Sequence, residues 1–388
     1  MGQKFIPLSV PNLKGRELEY VSHAIETEWV STAGPYINEF EDNISEYVGS
    51  KGAVSVQNGT SGIHVALKVS SIHADHEVIV PTLTFIAAVN PVKYVGAEPI
   101  FMDCNDNLNM DMDKLNQFCK EECSFIDGKL INNKTNKHIK AIIVVHVFGN
   151  MADMEKLMEI SEKYNLIVIE DATEALGTYY TEGKYKNMYA GAIGTLGIYS
   201  FNGNKIITTG GGGMIVSNNE QLLEKAKYLT TQAKNDGLYY KHDEIGYNYR
   251  MTNIQAALGL AQLEQLEEFI SIKRNNYELY KKKFKSIQGL SLLPFKENIR
   301  SNYWFYAMYI SEDYPLDRDE LIKSLSNNNI QTRPIWDLIS DQKPYRDNGI
   351  YKVQKARKFL KHIIYIPCSS NLTSKDVETV VDCLKKPL

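Results

Sequence analysis

The sequence has no long hydrophobic run and no excess of charge of one sign. Its 388 residues include 43 Lys and Arg against 47 Asp and Glu. The resulting net charge of −4 creates no basic field that would attract nucleic acid. A membrane-spanning helix needs about 20 nearly uninterrupted apolar residues, whereas the apolar stretches at 77–95 and 141–148 are interrupted or short. We therefore expect neither nucleic acid nor a membrane as a partner.

Cysteine is also scarce. The five cysteines, at positions 104, 119, 123, 368 and 383, form neither a C-x-x-C pair nor a metal-ligand pattern, so we expect reduced thiols and no metal site. The opening residues MGQKFI lack the apolar core of a signal peptide, and Ile6 stands where a myristoylation motif has Ser or Thr. These features predict a cytoplasmic protein.

Short β-branched runs alternate with amphipathic stretches through the first two thirds of the chain. The predicted buried strands are 53–57, 77–80, 99–102, 141–148, 166–171, 196–201 and 213–217. The predicted helices between them are 61–71, 83–95, 111–123 and 153–164. Such alternation predicts an α/β fold with a largely parallel sheet covered on both faces.

The pattern changes in the last third. A helical pattern starts at Asn253 and continues without proline to Phe284, which predicts one long helix between two domains. It is followed by a predicted strand at 303–310, a helix at 317–326, a strand at 330–333 and a helix at 374–384. We therefore assign 1–262 to a large domain and 263–388 to a smaller α+β domain. The polar segment 124–140 is predicted to be an exposed hairpin or insertion loop.

Three predicted strand ends carry polar or reactive side chains, and ligands of open α/β sheets bind at the carboxyl ends of strands. Residues 59–61 open a helix, which suits a phosphate but is also an ordinary helix cap. Glu170 and Asp171 end an apolar strand, where a helix cap or a metal ligand would also explain a buried Asp. Lys205 precedes four glycines at 210–213, and a surface lysine beside a hairpin is the alternative there.

Together the three features match the needs of pyridoxal 5′-phosphate. Its phosphate favours a helix N-terminus, its pyridine nitrogen must stay protonated, and its aldehyde is held by a lysine. Thr60 and Ser61, Asp171, and Lys205 fit these three needs in turn. A buried Asp171 paired with a pyridinium would also offset the cost of its own desolvation.

Longer motifs indicate a family. They are NGTSG at 58–62, PTLTFIAAVNPV at 81–92, HVFGNMADM at 146–154, EDATEALG at 170–177, SFNGNK at 200–205, TTGGGGM at 208–214 and GYNYRMTNIQAALGLAQL at 246–263. In this order the set resembles the DegT/StrS-type nucleotide-sugar aminotransferases, which are fold-type I pyridoxal phosphate enzymes. The resemblance covers nearly the whole chain and implies a three-layer large domain followed by a smaller C-terminal domain.

The resemblance also implies roles for individual residues. Lys205 would hold the cofactor covalently and later move a proton between the sugar and the cofactor, and Asp171 would hold the pyridinium. Phe85 would lie over the cofactor ring, unless it is an ordinary core aromatic. The residues implied for the phosphate are Gly59, Thr60, Ser61, Ser200 and, from the neighbouring subunit, Asn248. The active unit would therefore be a homodimer with composite sites.

Glu174 departs from the common pattern of the family. Most relatives have Gln or His three residues after the aspartate, and a Glu could donate to the phenolic oxygen of the cofactor only when it is protonated. A surface Glu at the start of a helix is the alternative. The form EDATE also resembles the branch that acts on 4-keto-6-deoxy derivatives of N-acetylglucosamine.

Two segments match places that border the sugar in this family, namely 28–36 and 331–336. The substrate residues that the resemblance implies are Trp29, Ser31, Thr32, Gly34, Arg333 and Trp336. Arg suits phosphate geometry, although a surface ion pair would equally explain Arg333. His146 is predicted to be a hydrogen-bonded core residue and His242 a loop residue.

The function predicted from the sequence is ping-pong transamination. Glutamate would supply the amino group, which would pass to a nucleotide-linked keto-deoxy sugar, specifically a UDP-4-keto-6-deoxy-N-acetylhexosamine, to give an amino sugar nucleotide for cell-surface glycans. Two alternatives stay open: a sugar dehydratase on the same scaffold, which would have His in place of Lys205, and a non-catalytic regulatory relative. A Rossmann dehydrogenase is excluded because no GxGxxG follows the first strand.

Overall fold

The computed structural model describes residues 4–236 and 238–386. Its strands, numbered along the chain, are β1 Gly52–Val56, β2 His76–Pro81, β3 Glu98–Met102, β4 Cys123–Ile126, β5 Lys129–Asn132, β6 His138–Val145, β7 Ile167–Asp171, β8 Tyr179–Tyr180, β9 Leu196–Ser200, β10 Gly213–Ser217, β11 Lys234–Asp236, β12 Lys241–His242, β13 Leu290–Leu292, β14 Ile299–Arg300, β15 Tyr306–Ile310, β16 Arg333–Pro334, β17 Gly349–Tyr351 and β18 Ile363–Ile366. The α-helices are α1 Glu17–Glu26, α2 Pro35–Val48, α3 Gly59–Val69, α4 Asn90–Tyr94, α5 Met112–Glu121, α6 Met154–Tyr164, α7 Glu220–Thr230, α8 Asn253–Leu263, α9 Leu266–Phe284, α10 Arg318–Asn327, α11 Lys355–Phe359 and α12 Ser374–Lys385.

The large sheet has the main order β1-β10-β9-β7-β6-β2-β3-β17. Strands β9, β7, β6, β2, β3 and β17 run parallel, whereas β10 is antiparallel to both of its neighbours. The predicted 124–140 hairpin is present as β4 and β5, and β5 extends the sheet beside β6. The predicted α/β fold class with a mostly parallel central sheet is confirmed.

Both faces of this sheet are buried, which explains the continuous apolar runs of its strands. In β6, Ile143 and Val145 face one hydrophobic core, and the alternate residues Ile142 and Val144 face the other. Helix α3 packs into the first core, and helices α2 and α6 pack into the second. The sheet is thus the middle of three layers, and the ends of its strands are free to build a site.

A second, antiparallel sheet has the order β13-β15-β18-β16. The N-terminal segment joins this sheet, because Ile6 forms a bridge with Ile330 and the carbonyl of Leu8 accepts from the Cys368 N–H at 2.8 Å. In the opposite direction, β17 from the last third of the chain pairs with β3 of the large sheet. Segments from each end of the chain therefore pair with the sheet of the other part. The domain boundary between residues 262 and 263 stays a prediction.

Two predicted helices are different in the structure. The 83–95 segment holds a short 3-10 helix at Ile86–Ala88 and then the short α4, because Pro91 has no N–H with which to continue a longer helix. The long helix predicted from Asn253 is divided into α8 and α9. At the division, the side-chain amide of Gln265 donates to the Ala261 carbonyl at 3.3 Å, while its backbone N–H bonds to Gln262.

None of the helices in the described ranges is long and apolar enough to cross a membrane.

Candidate active site

A cavity of about 350 Å³ lies where the ends of β7 and β9 meet the N-terminus of α3. Segments from both sheets build it, because its far wall comes from residues just before β15 and just after β16. Its lining residues are Asn58, Gly59, Thr60, Ile63, Thr84, Phe85, Ala87, Ala88, Asp171, Thr173, Glu174, Ser200, Asn202, Asn204, Lys205, Trp304, Phe305 and Trp336.

The N-terminus of α3 forms one end of the cavity. The side chain of Asn58 caps the helix by accepting from the Ser61 N–H at 2.8 Å. Within the described part of the chain, the N–H groups of Gly59 and Thr60 have no hydrogen-bond acceptor. Free N–H groups and the helix dipole suit a phosphate, and the hydroxyls of Thr60 and Ser200 line the same cavity.

Glycine at position 59 is required by close packing at this end of the cavity. A Cβ atom there would lie 2.9 Å from the Thr173 side chain and 3.2 Å from Cβ of Ser200. One of the four consecutive glycines has a related role, because a Cβ on Gly213 would lie 2.7 Å from the Asn58 carbonyl carbon. These glycines let the start of α3 approach β9 and β10 closely.

Adjacent carboxylates at the end of β7 have opposite environments, because neighbouring side chains of a strand point to opposite faces. Glu170 is fully buried and accepts from the N–H groups of Gly191, Ile193 and Gly194. His146 lies 2.8 Å from the same carboxylate through Nε2. Its Nδ1 accepts from the Ala152 N–H, so the proton is assigned to Nε2. Both residues thus belong to the packed interior, as the sequence predicts for His146.

Asp171 faces the cavity instead. Its side chain is buried, and Oδ1 accepts from the Thr173 N–H at 3.1 Å. Burial raises the pKa of this carboxyl, while the hydrogen bonds from Thr173 and the nearby charge of Lys205 act in the opposite direction. A buried carboxylate of this kind is stabilised by a cationic partner, which the protonated nitrogen of a pyridine ring can provide.

Lys205 stands on the turn after β9, where its N–H bonds to the Asn202 carbonyl. Its Nζ is 3.9 Å from Oε1 of Glu174 and 4.2 Å from the centre of the Trp304 ring. Burial lowers the pKa of this amine, opposed by the charges of Glu174 and Asp171. A buried lysine with a depressed pKa is suited to nucleophilic and proton-transfer chemistry.

Glu174 lies on the cavity wall and is not a surface residue that starts a helix. Its Oε2 accepts from the Phe148 N–H at 2.8 Å, and its side chain is nearly fully buried. Burial raises the pKa of this carboxyl to about 7, against the opposing effects of Lys205 and the Phe148 N–H. The raised pKa favours the protonated form, which is the condition for donation that the sequence left open.

The structure brings most predicted cofactor residues together, since Gly59, Thr60, Phe85, Asp171, Glu174, Ser200 and Lys205 all line the cavity. Ser61 is one residue away and contributes its N–H to the helix cap. Of the six predicted substrate residues, Trp336 lines the cavity, whereas Trp29, Ser31, Thr32, Gly34 and Arg333 do not. His242 is exposed, and its Nδ1 lies 2.8 Å from the Gln232 carbonyl oxygen.

Asn248 also lies outside the cavity of its own chain. Its side chain is exposed and accepts from Gln232 Nε2 at 2.9 Å. Sequence reasoning missed other members of the wall, notably Asn202, Asn204, Trp304 and Phe305. The two asparagines lie in the SFNGNK motif and could have been found there, whereas the aromatics come from the segment before β15, and no local signal places that segment at the cavity.

The described residues contain no group of three or more His, Cys, Asp or Glu side chains arranged to hold a metal ion. The cavity suits pyridoxal 5′-phosphate, because free N–H groups at a helix N-terminus, a buried carboxylate and a buried lysine surround one space.

Comparisons with known proteins agree with this geometry. The profile of the DegT/DnrJ/EryC1/StrS aminotransferase family matches residues 11–385. GDP-perosamine synthase from Escherichia coli O157:H7 is 41% identical over 86% of this chain and 85% of its own. A UDP-4-amino-4,6-dideoxy-N-acetyl-beta-L-altrosamine transaminase from Campylobacter jejuni is 30% identical over 98% of this chain and 96% of its own.

Among solved structures, the aminotransferase PseC of Helicobacter pylori, involved in the biosynthesis of pseudoaminic acid, has the same fold. It superposes with a TM-score of 0.87 at 24% identity, over 99% of each chain. The residues of the cavity, the family profile and the relatives lead to one assignment: the chain belongs to the DegT/DnrJ/EryC1/StrS aminotransferase family, and it is a sugar aminotransferase that uses pyridoxal 5′-phosphate.

Proposed function

We propose that this protein, in the cytoplasm, transfers the amino group of glutamate to the ketone of a nucleotide-linked 4-keto-6-deoxy sugar, and that the sugar is a UDP-4-keto-6-deoxy-N-acetylhexosamine. The observation that carries the proposal is the position of Lys205 and Asp171 on one cavity, beside the free N-terminus of α3. The absence of His at position 205 argues against the dehydratase alternative, and the position of Asp171, Glu174 and Lys205 on one cavity argues against a non-catalytic relative.

Each group in the cavity has a proposed task. When bound, pyridoxal phosphate supplies an electron sink and carries the amino group between the two substrates. Lys205 Nζ holds the cofactor and moves a proton at the reacting carbon, for which a depressed amine pKa is suitable. The Asp171 carboxylate pairs with the ring nitrogen and keeps it protonated.

The remaining cofactor contacts follow from the shape of the cavity. The N–H groups of Gly59 and Thr60, with the hydroxyls of Thr60, Ser61 and Ser200, bind the phosphate. The exposed ring of Phe85 covers one face of the cofactor. Protonated Glu174, with its pKa raised to about 7, donates to the phenolic oxygen.

The sugar binds toward the outer part of the cavity, where Trp336 forms part of the wall. Trp29 is 52% exposed and Arg333 is also exposed, so both side chains are available to a substrate larger than the cavity itself. We propose that Trp29, Ser31, Thr32 and Gly34, with Arg333, complete the sugar and diphosphate site when a second subunit is present.

A second candidate substrate is a GDP-linked keto sugar, of the kind on which a GDP-perosamine synthase would act. The observation in its favour is the 41% identity to a GDP-perosamine synthase, against 30% to the UDP-amino-sugar transaminase. The two candidates differ in the nucleotide that carries the sugar.

A substrate panel separates these candidates. Purified holoenzyme is given glutamate and either the UDP-linked N-acetyl sugar or the GDP-linked sugar, and the product is identified by NMR. We expect an amino group at C4 of the UDP-linked sugar. Turnover of the GDP-linked sugar alone would reassign the substrate, and turnover of neither, with a cofactor that glutamate does convert, would place the substrate outside both classes.

We also propose that the active unit is a homodimer in which Asn248 of one subunit binds the phosphate in the site of the other. Support comes from the position of Asn248, which is exposed and outside the cavity of its own chain. The neighbouring hairpin also exposes apolar side chains, with Leu238, Tyr239 and Tyr240 each more than two thirds exposed. Exposed apolar groups of this kind are typical of a surface that a partner covers.

Subunit mixing tests this arrangement. Lys205→Ala and Asn248→Ala subunits, each poorly active alone, are dissociated and reassembled in equal amounts. Half of the dimers should be mixed, and each of these has one site with both defects and one intact site, so about a quarter of wild-type activity should return. If Asn248 served the site of its own chain, every site would keep one defect and no activity would return. Wild-type protein taken through the same procedure controls for failed reassembly.

A further inference from the structure

The amine of Lys205 lies over an aromatic face that the proposed function does not use. Its Nζ is 4.2 Å from the centre of the Trp304 ring, and the indole is 3% exposed. A cation at this distance from an indole face is attracted by the negative charge of the π system, and the attraction strengthens when water is excluded. Trp304 belongs to the segment that leads into β15, far from Lys205 along the chain.

Two hydrogen bonds hold Trp304 beside the loop that carries the lysine. Its Nε1–H donates to the carbonyl of Asn204 at 2.7 Å, so the ring is attached to the residue directly before Lys205. The backbone N–H of Trp304 donates to Oδ1 of Asn302 at 3.0 Å. The amide of Asn302 in turn donates to the carbonyls of Glu174 and Leu176.

This network joins the three groups that surround the lysine amine. Asn302 links the turn that carries Glu174 to the segment before β15 that carries Trp304. The carbonyl of Asn204 links Trp304 to the loop that carries Lys205. A tryptophan with only a packing role needs a hydrogen-bond acceptor for its indole N–H, but that acceptor need not be the residue next to the reactive lysine. The bond to Asn204 holds the ring beside the backbone of the loop that carries Lys205.

The charged groups that act on Lys205 are Glu174 and Asp171, both of which favour the ammonium form, whereas burial favours the neutral amine. The carboxylate of Glu174 is a variable partner, because its own pKa lies near 7. The face of Trp304 does not titrate. It therefore offers the ammonium a constant attraction at every pH at which the enzyme works.

We propose that Trp304 is a positioning residue for the amine of Lys205, whose π face holds the ammonium form beside the reacting centre while the Nε1–H bond to Asn204 fixes the ring to the lysine loop. The inference rests on the proposed role of Lys205 as the lysine that holds the cofactor and moves the proton. It adds that the protonation of the unlinked amine depends on an aromatic ring from the smaller sheet.

The test measures the pKa of Lys205 itself. Protein is loaded with pyridoxamine 5′-phosphate, with which the lysine forms no covalent link, and is labelled briefly with acetic anhydride across a range of pH. Mass spectrometry of the Lys205 peptide then gives the fraction labelled. The variants are Trp304→Leu, which removes the π face, and Trp304→Phe, which keeps a smaller face and removes the N–H donor. Tyr303→Leu is the matched control, since that ring belongs to the same segment but packs on Phe295 at 4.6 Å and does not line the cavity.

We expect Trp304→Leu to lower the pKa of Lys205 by about one pH unit, which raises its labelling about tenfold at a fixed lower pH. Trp304→Phe should retain more than half of the wild-type effect, and Tyr303→Leu should leave the pKa of Lys205 in place. An unchanged pKa in Trp304→Leu, or an equal fall in Tyr303→Leu, would overturn the proposal. Trp304→Met replaces the leucine variant if the latter does not fold.

Failure of the proposed function gives a different signal. Borohydride reduction of the protein loaded with pyridoxal phosphate, followed by peptide mapping, identifies the lysine that holds the cofactor. An adduct on another lysine would contradict the role of Lys205, whereas an adduct on Lys205 with no effect of Trp304 on its pKa would contradict only the positioning role.

Discussion

Replacement of Lys205 by alanine is expected to reduce transamination by at least about a thousandfold, because one side chain both holds the cofactor and moves the proton. The free N-terminus of α3 and Asp171 remain in this variant, so the protein should still bind pyridoxal phosphate without a covalent link. The measurements are the steady-state rate with glutamate and the absorbance spectrum of the bound cofactor.

A lysine elsewhere on the chain provides the control. Lys184 is exposed and does not line the cavity, so Lys184→Ala should keep both the rate and the spectrum of the wild type. Full turnover by Lys205→Ala, or a spectrum unchanged by that substitution, would refute the assignment.

Replacement of Asp171 by asparagine is expected to lower transamination by about a hundredfold, the scale seen when a positioned charge is removed from a catalytic site. Asparagine is nearly isosteric and can still accept from the Thr173 N–H, but it does not favour a protonated ring nitrogen. The electron sink is therefore weakened while the fold is kept. Single-turnover rates with glutamate measure the effect on the chemistry directly.

The preceding residue on β7 supplies a matched comparison. Glu170→Gln also removes a buried carboxylate, but this one faces away from the cavity. It accepts hydrogen bonds from N–H groups of the loop at 191–194. We expect it to reduce the free energy of unfolding by about 1–3 kcal/mol, because a buried donor loses its acceptor. Single-turnover chemistry in the folded fraction should remain near that of the wild type. Wild-type turnover in Asp171→Asn would refute the pairing with the ring nitrogen.

The sequence alone was sufficient for the central sheet and for the order of the cofactor groups along the chain. Strands such as β6 and β7 are buried on both faces, so their apolar runs are continuous and independent of distant partners. The sequence also predicted that Asp171 and Lys205 lie on one cavity, because Asp171 ends β7, Lys205 lies on the turn after β9, and the end of a parallel strand is where ligands bind.

Local pattern was insufficient where a side chain competes with the backbone. The helical spacing from Asn253 to Phe284 contains no breaker, yet the helix divides because the Gln265 amide bonds to the Ala261 carbonyl and to Glu17 of α1. The alternation along β7 places Glu170 and Asp171 on opposite faces, but it does not indicate which of them borders the cavity. That difference depends on a loop at 191–194, which packs on one face of β7 only.

The tertiary structure alone decided what surrounds the reactive amine. Trp304 and Phe305 reach the cavity from a segment far beyond Lys205, and no periodicity within that segment indicates which distant groups they meet. The raised pKa of Glu174 likewise results from burial by residues that are not its neighbours in sequence. The residue types that carry the chemistry are thus determined locally, at the ends of buried strands, whereas their protonation and orientation are decided by long-range packing, because desolvation and hydrogen bonding act through space.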